Sequence, residues 1–350
     1  MTYDPRHDIR LDPRAVPVLA AIANTIPPTG DVDSRDQILA EAITPEALAR
    51  EAQMESILDA LDDEALVPRA GLRSEVHEIT SQPDGNTIKL QMIRPDTAEI
   101  LPCIYYIHGG GMMVLSCFRG NYQAWARCIA HQGVCVVMVD FRNCVRPSSA
   151  PEIAPYPAGL NDCVSGFHWV HEHAEKLLIN KNQLLVAGES GGGNLAIATT
   201  MKLVKEGYGD RVVGVYALCP YIAGQWPTPE HPSSTENDGI FIHVGDNRGA
   251  MAYGIEAFEA QDPLAWPSFA TEEDVRGFPP TMINVNECDP LRDEGIAFFR
   301  LLMKAGVKAH CRQVMGTFHA SDMFMPSVFL DHNRMTARDI ASWLKECCIP

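Results

Sequence analysis

The sequence has few positive charges for its length and no long apolar run. Its 350 residues contain 28 Lys and Arg against 45 Asp and Glu, which gives a net charge of −17. A chain this acidic repels phosphate backbones and anionic lipid surfaces, so the charge balance argues against nucleic-acid and membrane partners. No stretch approaches the roughly 18 consecutive apolar residues that identify a transmembrane helix.

The sequence also lacks CxxC cysteine pairs and a convincing signal peptide, and its adjacent Cys347 and Cys348 cannot easily bridge each other. Its 11 cysteines are an odd number, and none forms a CxxC pair. The apolar run near the start, Val16–Ala23, is short and contains Pro17. We therefore expect reduced thiols that pack as small apolar side chains, in a protein that stays in the cytoplasm.

The first 66 residues differ from the rest of the chain. They contain 14 acidic and 5 basic residues, and segments 36–44 and 45–61 have apolar residues at helical spacing. Thr44 followed by Pro45 is typical of a helix start, with Thr44 as the N-cap. These features predict a helical N-terminal arm.

Beyond the arm the pattern is that of an α/β protein. Alternating apolar residues on both sides of a Pro-Asp-Gly-Asn turn predict a hairpin of Glu75–Thr80 and Thr87–Arg94. Short apolar runs then alternate with helical stretches, which predicts a mostly parallel sheet covered by helices on both faces. The predicted strands are 103–107, 134–139, 184–187, 212–218, 281–285 and 309–314, and the predicted helices are 121–132, 158–176, 191–206, 291–305 and 334–347.

One segment interrupts this alternation. Residues 221–277 contain several prolines, many acids and two tryptophans, Trp226 and Trp266. The segment is too long for a simple connection between two core strands, so it predicts a small inserted subdomain over one end of the sheet. We accordingly predict a cap made of residues 1–66 and 221–277, and a catalytic core made of residues 67–220 and 278–350.

The strongest chemical signal is Gly188-Glu189-Ser190-Gly191-Gly192, which follows a predicted strand and precedes a predicted helix. This is the G-x-S-x-G nucleophile elbow in the context that it requires. The sharp turn exposes the hydroxyl of Ser190, and the helix N-terminus behind it favours negative charge. A phosphate-binding loop is the alternative, but the stretch lacks both the G-x-G-x-x-G order and the lysine of a Walker loop.

A second glycine-rich motif, His108-Gly109-Gly110-Gly111, ends the predicted strand 103–107. Glycines at this position allow backbone amides to approach the oxyanion of an acyl-transfer intermediate. His108 is predicted to orient the loop. The next side chains are expected either to form a wall of the acyl pocket or to pack beneath the loop; they are Met112, Met113 and Val114.

An elbow serine needs an acid and a base, which follow it in that order along the chain. Asp289 and His319 each come just after a predicted strand, where ligands bind in open α/β sheets. Asp262, which repeats the Asp-Pro-Leu string, is the alternative acid, and His332 is the alternative base. His168, His171 and His173 do not share a helix face, so no metal site is predicted there.

Together these motifs resemble the hormone-sensitive-lipase-like family of α/β-hydrolase esterases. The resemblance rests on residues 108–111, 188–195 and 289–295 and on the region of His319; segments 138–143, 188–200 and 286–298 are similar to bacterial acetylesterases of the heroin-esterase type. It implies an α/β-hydrolase fold, with a mostly parallel central sheet, flanking helices and a helical cap. It also implies an oxyanion hole formed by the amides of Gly110, Gly111 and Gly191.

We therefore expect a serine carboxylesterase that hydrolyses short-chain acyl esters through Ser190, His319 and Asp289. No metal or organic cofactor is implied, the expected partner is a small-molecule ester, and homo-oligomer formation is left open. The alternatives are a lipase or an amidase that uses the same triad, or a non-catalytic ligand-binding protein of the same fold.

Overall fold

The computed structural model describes residues 4–22 and 29–349, and in these ranges the chain forms one eight-stranded sheet. The strand order is β1-β2-β4-β3-β5-β6-β7-β8, with β1 and β2 antiparallel to their neighbours and β3 to β8 parallel. The strands are β1 (Leu72–Thr80), β2 (Thr87–Pro95), β3 (Leu101–Ile107), β4 (Cys135–Asp140), β5 (Ile179–Glu189), β6 (Gly214–Leu218), β7 (Thr281–Cys288) and β8 (Ala309–Phe318).

Thirteen helices accompany the sheet in the described residues. They are α1 (Ala15–Ile22), α2 (Arg35–Ala42), α3 (Pro45–Asp59), α4 (Gly120–Ala130), α5 (Ala158–Glu172), α6 (Ala174–Leu177), α7 (Gly191–Lys205), α8 (Ser233–Glu236), α9 (Arg248–Tyr253), α10 (Ile255–Glu259), α11 (Arg292–Lys304), α12 (Ser321–Phe324) and α13 (Pro326–Cys347).

The sheet divides the core into two layers, because successive side chains of a strand point to opposite faces. Along β3, Tyr105 packs in a cluster with residues of α5, α7 and α11, whereas Tyr106 packs in a cluster with α4 and α13. All six residues of β4 are buried, as expected of a parallel strand that is covered on both faces. The predicted α/β-hydrolase fold class is confirmed.

Several element boundaries differ from the prediction. The helix predicted over 158–176 is divided into α5 and α6 at His173. The strand predicted to start at Val212 begins at Gly214, after a 3₁₀ turn over Gly209–Arg211. The last helix starts eight residues earlier than predicted, at Pro326 instead of 334, and contains a non-helical residue, Phe329.

The N-terminal arm contains α1, α2 and α3. Residues 1–3 and 23–28 of the arm lie outside the described ranges, so the apolar run 16–23 is described except for its last residue. The predicted helix N-cap is confirmed at α3. The Thr44 hydroxyl accepts a hydrogen bond from the amide of Ala47, and Pro45 is the first residue of the helix. α3 buries none of its residues and is held to α4 by polar contacts, such as the 2.9 Å bond from the Gly120 amide to the Asp59 carboxylate.

The arm contacts both the insertion and the core. Asn247, just before α9, exchanges two 2.9 Å hydrogen bonds with the backbone of Val32. Leu11 and Ala15 pack against Phe318 and Phe329, which lie close to the end of β8. The division of the chain into cap and core stays a prediction. The last residue of the predicted core, Pro350, lies outside the described residues.

Two further findings concern the chain as a whole. All eleven cysteines lie in described positions and carry free thiols, and eight of them are buried. Within residues 4–22 and 29–349, no helix is both long and apolar enough to cross a membrane.

Candidate active site

The turn from β5 into α7 holds Ser190 in a conformation that non-glycine residues rarely adopt. Its φ and ψ are 55° and −122°. Its backbone is fixed on both sides, by a 2.9 Å bond from its amide to the carbonyl of Leu218 and a 3.0 Å bond from the Tyr221 amide to its own carbonyl. Strained backbone of this kind persists only where the surrounding structure enforces it. The turn around the half-buried Ser190 is therefore held in place by its neighbours on both sides.

The glycines around Ser190 are required by close backbone contacts. A Cβ on Gly188 would lie 2.2 Å from the carbonyl oxygen of Gly192, and a Cβ on Gly192 would lie 2.0 Å from the carbonyl oxygen of Ile107. Real Cβ atoms do not approach backbone this closely, so only glycine allows β3, β5 and α7 to meet here.

The structure places the predicted acid and base next to this serine. His319 Nε2 lies 3.0 Å from Ser190 Oγ, and His319 Nδ1 lies 2.7 Å from Asp289 Oδ2. Asp289 follows β7 and His319 follows β8, so neighbouring strand ends bring together residues that are far apart in the chain. The short Nδ1 contact orients the ring with its Nδ1–H toward Asp289, which leaves Nε2 free to accept the serine proton.

Asp289 is fully buried and is itself held in place. Its other carboxylate oxygen, Oδ1, accepts a 2.9 Å hydrogen bond from the amide of Leu291. Asn237 in the insertion donates a 3.1 Å bond to the backbone carbonyl of Asp289. The insertion therefore helps to fix the residue that orients His319.

The glycine loop after β3 lies against the start of α7. Gly110, Gly111 and Met112 all have positive φ, at 94°, 62° and 60°. The amide nitrogens of Gly111 and Met112 each lie 2.7 Å from the position that a Cβ on Gly191 would take. The backbone of the glycine loop thus packs directly against the first residue of α7, next to Ser190.

The three side chains that follow the glycines have different environments. Met112 is buried, which matches the packing alternative, and the Met113 side chain lies beside Gly111. Val114 lines a cavity of about 660 Å³ between α3 and the loops after β3 and β4. Neither Ser190 nor His319 lines that cavity.

His108 is fully buried behind the glycine loop. Its ring stacks on Phe141 with centroids 4.3 Å apart, and its Nδ1 lies 2.9 Å from the carbonyl oxygen of Gly109. Burial lowers the pKa of His108, which keeps the imidazole neutral. These contacts agree with the predicted role of orienting the loop.

The alternative acids and bases have other partners. Asp262, the alternative acid, accepts a 2.7 Å hydrogen bond from the Tyr156 hydroxyl. His332 packs its ring edge-on against Phe329. The triad geometry is therefore formed with Asp289 and His319.

Among the described residues, one group of side chains has donor atoms close enough together for a metal ion, namely Cys219, Asp289 and His319. Two of the three already form the short Asp289–His319 hydrogen bond, so the group is arranged for proton transfer.

Two further buried carboxylates, Glu189 and Glu294, lie close to the triad, and their contacts were not predicted from the sequence. Glu189 accepts hydrogen bonds from the hydroxyls of Tyr106 and Tyr122 and from the amide of Gly109. Glu294 accepts bonds from the Ile222 amide and from the Trp226 indole N–H. Glu189 stands next to Ser190, and Glu294 lies in the string Asp-Glu-Gly shortly after Asp289, so both positions could have been noticed in the sequence. The groups that donate hydrogen bonds to these carboxylates are far away in the sequence and could not.

Comparison with known proteins agrees with this geometry. Residues 104–323 match the family model described as the alpha/beta hydrolase fold. The chain is 32% identical over 216 residues to the carboxylesterase NlhH of Mycobacterium tuberculosis, a match that covers 61% of this chain and 64% of that protein.

Two solved structures are similar over nearly the full chain. The structure of esterase Est22 is 55% identical, with a TM-score of 0.94, and the match covers 97% of this chain and 99% of that one. Brefeldin A esterase, described as a bacterial homologue of human hormone sensitive lipase, is 36% identical with a TM-score of 0.87, covering 99% of this chain and 96% of that one.

Proposed function

The chain belongs to the hormone-sensitive-lipase-like family of α/β hydrolases and is a carboxylic ester hydrolase, and from this premise we propose that Ser190, His319 and Asp289 are its catalytic triad. The observation that carries the proposal is the continuous chain of two hydrogen bonds, from Asp289 through His319 to Ser190, at 2.7 and 3.0 Å.

In the proposed reaction, Ser190 Oγ attacks the ester carbonyl carbon while His319 Nε2 takes the hydroxyl proton. Asp289 stabilises the imidazolium that forms and keeps the ring in the required tautomer. The tetrahedral intermediate collapses when His319 returns the proton to the leaving alkoxide, which departs as the alcohol. In the second half of the reaction, His319 takes a proton from water as the water attacks the acyl-enzyme. His319 then returns the proton to Ser190 Oγ, which releases the carboxylic acid and restores Ser190.

The developing oxyanion is proposed to bind between the glycine loop and α7. The amides of Gly110, Gly111 and Gly191 are the proposed donors, and the amide nitrogen of Met112 also lies close to Gly191. Removal of one such donor in other acyl-transfer enzymes costs about 10²–10³ in kcat, so this loop contributes a large share of the rate.

A phosphonate or sulfonyl fluoride tests the nucleophile directly. We expect one adduct per chain, located on Ser190 by mass spectrometry, because Ser190 combines a base with the proposed oxyanion donors. Ser190→Ala should remove both the adduct and the hydrolysis of p-nitrophenyl acetate. An adduct on another residue of active protein would overturn the assignment.

We further propose that the acyl group is short. The Met113 side chain lies beside Gly111, and the insertion contacts the backbone of Asp289, so we propose that these two elements limit the space beside Ser190. A longer acyl chain gains about 0.8 kcal/mol per buried methylene until the pocket is full, and overpacking then costs about 1–3 kcal/mol.

Comparison of p-nitrophenyl acetate, butyrate, hexanoate, octanoate and dodecanoate tests this proposal. We expect kcat/KM to be highest at two to about six acyl carbons and to fall at least about tenfold by twelve, as overpacking predicts. A maximum at dodecanoate, or a rate increase above the solubility limit of the ester, would instead indicate a lipase.

A further inference from the structure

A buried carboxylate directly precedes the proposed nucleophile and has no role in the triad. Glu189 is fully buried at the end of β5. Its Oε1 accepts hydrogen bonds from the amide of Gly109 at 2.6 Å and from the Tyr122 hydroxyl at 2.7 Å. Its Oε2 accepts a bond from the Tyr106 hydroxyl at 2.6 Å. Burial of a carboxylate is costly, and these three donors compensate for the lost water.

The donors come from three separate parts of the fold. Tyr106 belongs to β3, Tyr122 to α4, and Gly109 to the loop that carries the proposed oxyanion amides. The contact with Gly109 is so close that a Cβ at this position would lie 2.4 Å from Glu189 Oε1. Glu189 therefore connects the start of the glycine loop to the turn that holds Ser190.

We propose that Glu189 is a positioning residue for the oxyanion loop, and that its carboxylate must be ionised to hold the loop in register with Ser190. The inference rests on the triad proposed above. Without Glu189, the Gly109 amide would keep only the Tyr122 hydroxyl as an acceptor, at 3.0 Å, and the loop would be held less firmly relative to Ser190. A misplacement of about 1 Å in a catalytic site can cost about 10²-fold in rate.

The charge states around Glu189 support the ionised form. An ionised carboxylate has acceptors only, which suits three donors, and the amide of Gly109 cannot reverse its direction. Burial raises the pKa of Tyr106, of Tyr122 and of the nearby Cys219 thiol, so all three stay neutral. The ring of His108 contacts that of Tyr122, and burial lowers the pKa of His108. Asp140 Oδ1 lies 3.7 Å from Nε2 of His108.

Burial raises the pKa of Glu189 itself to about 7, and the hydrogen bond from Tyr106 opposes this rise. Glu189 thus gains its proton in the same pH range in which a catalytic histidine ordinarily does. The proposal predicts that the acid limb of kcat/KM reports the protonation of Glu189 in addition to that of the general base. The logarithm of kcat/KM should then fall with a limiting slope of two as pH decreases, where a single base gives a slope of one.

Two substitutions at Glu189 distinguish the effect of its charge from the effect of its side-chain length. Glu189→Gln keeps the length of the side chain and an oxygen for Gly109 but cannot ionise, so its acid limb should have a slope of one. Glu189→Asp keeps the charge but is one methylene shorter, so it should lower kcat by about 10–100-fold, with KM for p-nitrophenyl acetate unchanged, because a loosened oxyanion site loses part of the 10²–10³ that a whole donor contributes.

Adjacent tyrosines of β3 provide a matched pair that does not alter Glu189. Tyr106→Phe removes one donor from Glu189 and should shift the second protonation to higher pH. Tyr105→Phe removes a hydroxyl that donates a 2.8 Å bond to the carbonyl of Cys163 on the other face of the sheet, and should leave the pH profile unchanged. A merely structural role for Tyr106 would lower stability in both variants without moving the acid limb.

Phosphonate titration of Ser190 in the wild-type protein keeps the two proposals distinguishable. If Ser190 is not labelled, the proposed function fails. If Ser190 is labelled but the wild-type acid limb has a slope of one, or Glu189→Gln retains a slope of two, the triad stands and the role of Glu189 is overturned.

Discussion

At the scale of single residues, the orientation of His319 depends on one carboxylate. Asp289 is fully buried and its Oδ2 lies 2.7 Å from His319 Nδ1. Asp289→Asn keeps the shape of the side chain but favours the wrong imidazole tautomer. We expect kcat for p-nitrophenyl acetate to fall by about 10⁴, as in other triads with this substitution.

Asp262→Asn is the matched control, because Asp262 occurs in the same Asp-Pro-Leu string but bonds to the Tyr156 hydroxyl. This variant should retain kcat within about threefold, since it makes no contact with the transition state. A large loss at Asp262 with a small loss at Asp289 would reverse the choice of acid. Circular dichroism of both variants checks that the fold is intact.

At the scale of elements, the junction of β3, β5 and α7 tolerates no side chain at its centre. A Cβ on Gly192 would lie 2.0 Å from the Ile107 carbonyl oxygen and 2.6 Å from that of His108. Gly192→Ala should therefore lower the free energy of unfolding by about 1–3 kcal/mol, the usual cost of overpacking. It should also lower kcat, because the helix must move away from the glycine loop.

Gly30→Ala serves as the comparison in a urea titration, because nothing lies within 4 Å of a Cβ at Gly30. It should leave the free energy of unfolding within about 0.5 kcal/mol of the wild-type value. Equal stability of Gly192→Ala and the wild-type protein would show that the junction can relax, contrary to the crowding seen here.

The connection between α11 and the insertion depends on a second buried carboxylate, Glu294. It accepts bonds from the amides of Ile222 and Ala223 and from the Trp226 indole. Burial raises the pKa of Glu294 to about 8, above the value of about 4.3 for an unfolded chain. Between these values the folded protein holds a proton that the unfolded chain has released. The contribution of this group to stability is thus present at low pH and is lost as pH rises toward 8.

Glu294→Gln removes this titration. We expect the free energy of unfolding of the wild-type protein, relative to that of the variant, to fall by about 1 kcal/mol or more between pH 5 and pH 8. Urea unfolding at several pH values measures the difference. The exposed Glu272→Gln should show no such change with pH, and a constant difference for Glu294→Gln would contradict the assigned shift.

At the scale of the whole molecule, the arm and the insertion are held together by contacts more than 200 residues apart. Asn247 bonds to both the amide and the carbonyl of Val32, each at 2.9 Å. Asn247→Ala leaves these buried groups unsatisfied, at a cost of about 1–3 kcal/mol. If the arm and the insertion form walls of the acyl pocket, Asn247→Ala should loosen those walls. The ratio of kcat/KM for p-nitrophenyl dodecanoate to kcat/KM for the acetate should then rise several-fold.

Asn182→Ala, on the exposed face of β5, controls for the loss of an amide elsewhere. It should leave the chain-length profile unchanged. An unchanged profile in Asn247→Ala, measured alongside a confirmed loss of stability, would separate the arm from acyl selectivity and contradict the predicted cap.

The fold class and the candidate triad could both be predicted from the amino-acid sequence. Alternation of apolar runs with helical stretches is a local pattern, and it sufficed to predict a parallel sheet covered on both faces. The elbow around Ser190 is likewise local, because strand, glycines and helix follow one another within a few residues. Asp289 and His319 followed from chain order and from their positions after strands, since parallel strands end at the same edge of a sheet.

The contacts between residues that are far apart in the chain became evident with the folded structure. The partners of Glu189 lie 67 to 83 residues away, and no periodicity or motif encodes contacts of that separation. The same holds for Leu11 and Ala15, which the arm contributes to a cluster with Phe318 and Phe329. Packing and hydrogen-bond satisfaction of buried groups select such contacts after the chain has collapsed, because each buried donor or acceptor must find a partner wherever the fold brings one within reach.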